Sequence, residues 1–356
     1  MHQTPWACLI ASSLLAGCQS TLGRAPGPEA PDLAGAAQGT LIVPPVGAGT
    51  LAREVRLIDL PSLREIEVRL EHDPIAIGGL DEKGQFFYAF DADAGLTWGD
   101  YGRYVLDAEP EHSPHFERWR LRKVDVATRV ESDLGGLEGF PRVLALAPRG
   151  DRLITVHEPA QTAEHPNERP SDVWSIDLTS GERRVVFHQL GRVQRCDWKP
   201  DGSAFALTGS AGGELFDATS LSSAGLQAHG FGPFTPDGRA YLRSEGEGHA
   251  LVELDNAVIL VGDALLPWPA TRGPAHERGE AKPIGLCGER LALYEALPTE
   301  GNHVESSIAR GGFIRLEHAA VKVAHLETGT YATVLAGNDS SWTPLYSALR
   351  IGSPAP

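Results

Sequence analysis

Cysteine, methionine and lysine are scarce in this chain of 356 residues, which holds 4 Cys, 1 Met and 5 Lys against 26 Arg. No Cys-x-x-Cys pair occurs, so the spacing that small zinc sites need is missing. Catalytic signatures are missing too. There is no Gly-x-Ser-x-Gly elbow, and Thr208-Gly-Ser-Ala-Gly212 only approaches one while falling in a turn between strands. A phosphate loop, a His-Glu-x-x-His helix and a dinucleotide fingerprint are likewise absent, which removes the commonest hydrolase, kinase and dehydrogenase readings. No segment carries a basic stripe, and a net charge of −16 argues against nucleic acid as a partner. The apolar leader Trp6 to Leu15 runs for about ten residues, too short to span a bilayer as a mature helix.

What is present is a two-part unit that recurs along the chain. One half is an apolar strand, a turn with Gly and often Asp or Pro, and a second apolar strand. These halves run from Pro74 to Phe90, Arg142 to Val156, Val193 to Leu207, Gly232 to Leu242 and Pro283 to Tyr294. Their turns place Gly84, Gly150, Gly202, Gly238 and Gly288 where a tight connection calls for a positive φ. The other half is a strand, a short turn and a strand. These run from Val55 to Leu70, Trp119 to Leu134, Val173 to Phe187, Leu215 to Leu226, Ala250 to Val261 and Val321 to Leu335, around Asp59, Asp125, Asp177, Asp217, Asp255 and Glu327.

A four-stranded unit of this kind cannot bury both faces alone and must stack on neighbours around a ring, so the fold class is all-β and the architecture a β-propeller. Six four-stranded blades are expected, with the ring closed by the two chain ends. The unmatched half is assigned to Trp342 to Ile351, which would complete the blade begun by Val55 to Leu70; Thr40-Leu-Ile-Val43 is the competing source of the closing strand. A seventh, irregular blade between Asp91 and Glu117 is the alternative count.

The turns Lys199-Pro200-Asp201-Gly202, Thr235-Pro236-Asp237-Gly238 and the degenerate Ala147-Pro148-Arg149-Gly150-Asp151 resemble the repeats of TolB-like and related WD-type propeller domains, including those that precede the hydrolase domain of prolyl oligopeptidase-like enzymes. The resemblance covers about residues 50 to 350 and implies the propeller fold. No blade ends in Trp-Asp, a departure from the eukaryotic WD pattern. The chain has no room for an added hydrolase domain, and propellers host binding platforms as well as enzymes, so the resemblance leaves function open.

At the N-terminus, Leu15-Ala16-Gly17-Cys18 resembles a bacterial lipobox. The resemblance implies a signal peptide over residues 1–17 and diacylglycerol on the Cys18 thiol. Gln19 after the lipidated residue resembles lipoproteins sorted to an outer membrane. The segment Met1 to Pro5 departs from secretory signals in having His2 but no Lys or Arg. Residues 18–39 are rich in Ala, Gly, Pro and Ser, a composition that reads as a flexible tether, and residues 40–356 form a single propeller domain. The membrane contact is then through the lipid alone. Cys196 and Cys287 fall two units apart, beyond the roughly 7 Å that a disulfide spans, and read as buried free thiols.

Function is expected on the longest insertions, Asp91 to Glu117, His157 to Ser171 and Pro298 to Gly312. Each joins the second strand of a unit to the third, and in an up-and-down blade those connections leave the same face. They carry His112, His115, His157, Glu158, His165 and His303, side chains that could ligate a divalent metal or supply acid–base pairs at the channel mouth. Trp98, Tyr101 and Tyr104 could stack on a sugar or grip a peptide, although packing of a long loop uses the same residue types. Two functions follow. The first is a non-enzymatic, membrane-tethered propeller that binds an envelope protein or glycan through the long-loop face and needs no cofactor. The second is a metal-assisted hydrolase or lyase at the channel mouth. Acidic residues concentrate at the first insertion, where Glu71 to Glu117 holds eleven acids against Lys83 and Arg103.

Overall fold

Six antiparallel sheets follow one another along the chain of this computed structural model, which describes residues 28–43, 53–72, 74–81, 83–92, 119–137, 140–158, 170–227, 229–245, 248–267, 280–297, 320–336 and 348–350. Blade 1 has the order β23-β1-β2-β3, from Ala348–Arg350 (β23) through Thr40–Val43 (β1) and Glu54–Asp59 (β2) to Arg64–Arg69 (β3). Blade 2 holds Pro74–Leu80 (β4), Phe86–Ala92 (β5), Trp119–Asp125 (β6) and Glu131–Leu137 (β7). Blade 3 holds Phe140–Leu146 (β8), Arg152–Glu158 (β9), Asp172–Asp177 (β10) and Arg183–Val185 (β11). Blade 4 holds Val193–Trp198 (β12), Ala204–Gly209 (β13), Gly212–Asp217 (β14) and Ser223–Gln227 (β15). Blade 5 has Ala240–Glu245 (β16), Gly248–Glu253 (β17) and Ile259–Val261 (β18). Blade 6 has Glu280–Leu286 (β19), Leu291–Leu297 (β20), Ala320–His325 (β21) and Tyr331–Ala336 (β22).

The innermost strand of blade 5 is reduced to a bridge between Phe234 and Tyr241, with Leu242 N–H donating to Pro233 C=O. Pro233 brings no N–H to a ladder, which shortens the pairing expected from Gly232 to Leu242. Closure draws on both candidates. The C-terminal run supplies only the innermost strand, β23, and Thr40–Val43 supplies the second, with Thr40 opposite Arg350 on one side and opposite Asp59 on the other. The described strands on either side of the Asp91 to Glu117 insertion, β5 and β6, pair directly within blade 2.

Burial follows from the ring. Alternate residues of each strand face opposite neighbours, so the cores lie between blades. Val55, Leu57 and Val68 of blade 1 pack with Ile77, Phe87 and Val124 of blade 2. Ile154 and Val156 of blade 3 pack with Phe205, Leu207 and Phe216 of blade 4. Leu242 and Leu251 of blade 5 meet Leu286 and Tyr294 of blade 6, and Leu293 and Val323 of blade 6 meet Leu41 and Ile58 of blade 1.

The turns between third and fourth strands are the most regular feature. In all six blades the fifth residue of the turn sends its N–H back to the carbonyl of the first, pairing Leu63 with Asp59, Arg129 with Asp125, Gly181 with Asp177, Leu221 with Asp217, Ala257 with Glu253 and Gly329 with His325. The fifth residue has positive φ every time, four times without being glycine. Asp125, Asp177 and Asp217 cap their turns by accepting backbone N–H groups from Thr128, Ser180 and Ser220, and these bonds are the main cause that holds their carboxyls below the usual range. In blades 5 and 6 the turn starts at Glu253 and His325, two residues before the expected Asp255 and Glu327. Among the glycines expected at positive φ, Gly84, Gly150, Gly202 and Gly238 adopt it; Gly288 does not, because the turn is closed by Cys287 N–H to Leu291 C=O without a left-handed residue.

Residues 28–39, assigned to the tether by composition, lie against the ring. Ala30 N–H donates to Tyr331 C=O, the short helix Leu33–Ala36 (α1) rests on blade 6, and Gln38 N–H donates to Cys287 C=O. Ala34 and Ala37 are 3% and 1% exposed. Small side chains that bury little area each are sufficient here, because the backbone hydrogen bonds are supplied by blade 6.

Two substitutions test this packing in one urea-denaturation series. A Cβ on Gly78 would lie 2.0 Å from the Leu144 carbonyl oxygen, where the innermost strands of blades 2 and 3 meet. Gly78→Ala is expected to cost about 1–3 kcal/mol. Arg129→Gly, which relieves a left-handed non-glycine residue, is expected to gain up to about 1 kcal/mol. Equal stability of Gly78→Ala and the parent would contradict the close approach.

Candidate functional site

The ring has two unlike faces. The first-to-second and third-to-fourth strand connections emerge on one, as the short turns already described. The second-to-third connections emerge on the other, where residues 93–118, 159–169 and 298–319 leave the ends of β5, β9 and β20. All three long insertions therefore start from one face, as the strand order required. His112, His115, His165, His303, Trp98, Tyr101 and Tyr104 lie outside the described residues.

His157 lies near the end of β9 on the insertion side, opposite Asp172 and Pro141. Ile154 and Val156 pack against blade 4, so strand alternation turns Thr155 and His157 toward blade 2. The imidazole is 1% exposed and its Nε2 lies 2.9 Å from Thr155 Oγ1. It is thus sealed within the ring and does not present itself at the rim. Glu158 is the last residue of β9, opposite Phe140. Among the described residues no three His, Cys, Asp or Glu side chains come together as a metal site.

The same face is stitched between blades 3 and 4. Ser171 Oγ accepts the Val193 N–H at 3.0 Å, and Ser171 C=O lies 2.8 Å from His188 Nε2. Leu190 N–H donates to His188 Nδ1 at 3.2 Å, so the imidazole bridges Leu190 and the Ser171 carbonyl. This scaffold fixes the stem from which the insertion after His157 departs.

A second set of polar groups lines the channel and was not singled out in the sequence. Arg195 of β12 pairs through two nitrogens with Asp197, two residues on and on the same side of the strand. Its guanidinium also reaches past blade 5 to blade 6, donating to Pro283 C=O at 2.8 Å and Ile284 C=O at 3.1 Å. Register shifts in β12 between Val193 and Arg195 and in β19 between Pro283 and Gly285 re-aim both strands at this point. The innermost strand of a blade has one unpaired edge, and here an arginine satisfies it. The alternation Arg195-Cys196-Asp197 was the available signal.

Arg195 leaves its mark on its neighbours. Burial, with the arginine charge adding to it, pushes His249 down to about 4, so that it stays neutral at neutral pH. The Cys196 thiol is pushed up by burial and by Asp197, and Cys287 up to about 12 by burial. Both thiols are free. The cluster is charged but internally satisfied, which suits a strut better than a reacting group.

No protein-family model matches the chain, and no curated protein matches its sequence. In shape it is similar to TolB from Acinetobacter baumannii, at a TM-score of 0.52 and 10% identity, over 88% of this chain and 66% of that one. The chain thus spans a little under two thirds of that structure, and the likeness is one of fold. An oligogalacturonate lyase from Vibrio parahaemolyticus matches at a TM-score of 0.45 and 14% identity over 69% of each chain, too weak to bear on function.

His249 makes a pH prediction. Its folded value lies below the ordinary 6.5, so the unfolded chain takes up the proton first as pH falls. Stability should drop between pH 6.5 and about 4, a window above that of the capping aspartates. Denaturation at pH 7 and pH 4.5 should show a smaller loss for His249→Gln than for the parent. An identical loss would show that His249 is not held neutral by the fold.

Proposed function

We propose that this chain is a membrane-tethered lipoprotein of the cell envelope, lipidated at Cys18, whose propeller binds a protein or glycan partner without catalysis. The observation that carries the reading is the departure of all three long insertions from one face of a closed ring. Insertions that the ring does not need for closure are free to vary with a ligand, whereas the strands beneath them are committed to packing. In the channel Arg195 is committed to Asp197 and to two carbonyls of blade 6. His157, one candidate ligand of the metal-assisted hydrolase or lyase reading, is 1% exposed and does not open onto the insertion face. Binding through the insertion face needs neither metal nor nucleic acid, and a chain of net charge −16 is suited to partners with cationic or neutral polar surfaces.

The test is to shorten the insertion between β5 and β6 by replacing residues 95–116 with a short Gly-Ser linker. The melting temperature should stay close to that of the parent, because both flanking strands pair directly. In-cell cross-linking should lose the envelope partner that the parent captures. A shortened chain that keeps every cross-linked partner would remove the insertion face as the binding surface.

A further inference from the structure

The seam between blades 3 and 4 is apolar until it reaches Glu214. On β13 the residues turned toward blade 3 are Phe205, Leu207 and Gly209, and directly opposite them on β14 stand Phe216, Glu214 and Gly212. Phe205, Leu207 and Phe216 pack with Val186 and Leu190 of the crossover that runs from β11 to β12. Glu214 continues this row toward the insertion face, and beyond it the two strands carry only the glycine pair and the small turn residues Ser210 and Ala211. The residue is 8% exposed, its Oε2 is fully enclosed without a hydrogen-bond partner, and it joins no ion pair among the described residues. Thr155, Ser171 and Thr235, also buried, each have a partner. A carboxylate among apolar side chains with no donor to meet it is costly to the fold. Packing alone would be better served by leucine, the residue Glu214 faces across the ladder.

We infer that Glu214 anchors a pocket in this seam that takes a guanidinium group of the partner, an assignment that rests on the binding role proposed above and names the chemistry recognised. What Oε2 lacks is a donor, and what the carboxylate lacks is a counter-charge; a cationic side chain supplies both. Arginine suits the enclosure better than lysine. Its head is more weakly hydrated than an ammonium and meets a carboxylate through two parallel N–H groups, so it loses less on leaving water for apolar surroundings. The Arg184 guanidinium, on the neighbouring outer strand, donates to Thr219 C=O at 3.2 Å and does not fill this role.

The crossover that borders the seam adds an aromatic wall. Val186 and Leu190 are buried in the seam core, whereas Phe187 between them is 84% exposed. An aromatic face in that position covers the methylene stem or the planar head of an arginine. The crossover is pinned in place by Val186 N–H to Val173 C=O, Ala211 N–H to Leu190 C=O and Ser210 N–H to Arg192 C=O, so the wall is preformed. The net charge of −16 draws a cationic partner toward the protein, and Glu214 selects the side chain that is seated.

The test is calorimetric titration of the full chain with N-acetyl-arginine amide, beside N-acetyl-citrulline amide, which keeps the shape without the charge, and N-acetyl-lysine amide. The parent is expected to bind the arginine probe about tenfold more tightly than either analogue, and Glu214→Gln to weaken that binding by about tenfold. Phe187→Ala should weaken it several-fold. Because the enclosed charge is gone, Glu214→Gln should melt at or above the temperature of the parent, so that lost binding is not lost folding. Equal binding of arginine and citrulline, no binding of the arginine probe, or unchanged affinity in Glu214→Gln overturns the pocket. The insertion between β5 and β6 belongs to blade 2 and is tested separately. A chain that fails with the arginine probe but loses its cross-linked partner when that insertion is shortened overturns the guanidinium pocket and leaves the binding role standing.

Discussion

Closure of the ring through β1 is the constraint on which everything else depends. This strand of four residues is held on one edge by β2 and on the other by β23 from the far end of the chain. Its alternate side chains also enter two different cores. Leu41 and Val43 pack with blade 6 and Ile42 packs with blade 2. Because each core lies between blades, an opening at this joint would expose two apolar faces at once, as well as a sheet edge ready to pair with another chain. Three consecutive apolar residues, Leu41-Ile-Val43, are what a strand buried on both sides requires.

The same joint gives the molecule its polarity. With the N-terminal segment brought in under blade 6, the short turns and the docked residues 28–39 belong to one face. The opposite face begins with the stems of the long insertions, held in place by contacts such as Ser171 with Val193 and His188. Between them the Arg195 strut ties blade 4 to blade 6 across the channel. A closed ring that carries its short turns on one face and the stems of all three long insertions on the other is the division on which the proposed binding role rests.

Much of the ring was legible because its repeat is written in chemistry that a turn demands. Pro-Asp-Gly at residues 200–202 and 236–238 supplies a preset φ, a side-chain acceptor and a left-handed residue in order, and the structure uses each one. The third-to-fourth turns were less legible. Their left-handed position is filled by Leu63, Arg129, Leu221 and Ala257, residues that carry no glycine signal and are held there by the ladders on either side. Composition misjudged residues 28–39, since small residues that look unable to fold can still dock when neighbouring backbone offers hydrogen bonds. Of the site, the common face of the insertions could be derived from strand order alone. The burial of His157 could not, because which side of a strand faces a neighbouring blade depends on the register of the whole ring. Arg195 was overlooked for a related reason: its partners Pro283 and Ile284 lie nearly ninety positions away in sequence.

The most direct measurement is hydrogen exchange on the full chain and on a chain ending at Ser347, followed by mass spectrometry of peptides covering β1 and β4. If closure through β1 governs the ring, removing β23 will deprotect β1 and, through the shared core, accelerate exchange in β4 as one cooperative unit. Unchanged protection of β1 in the shortened chain would contradict the account, because the ring would then hold without the strand that is taken to close it.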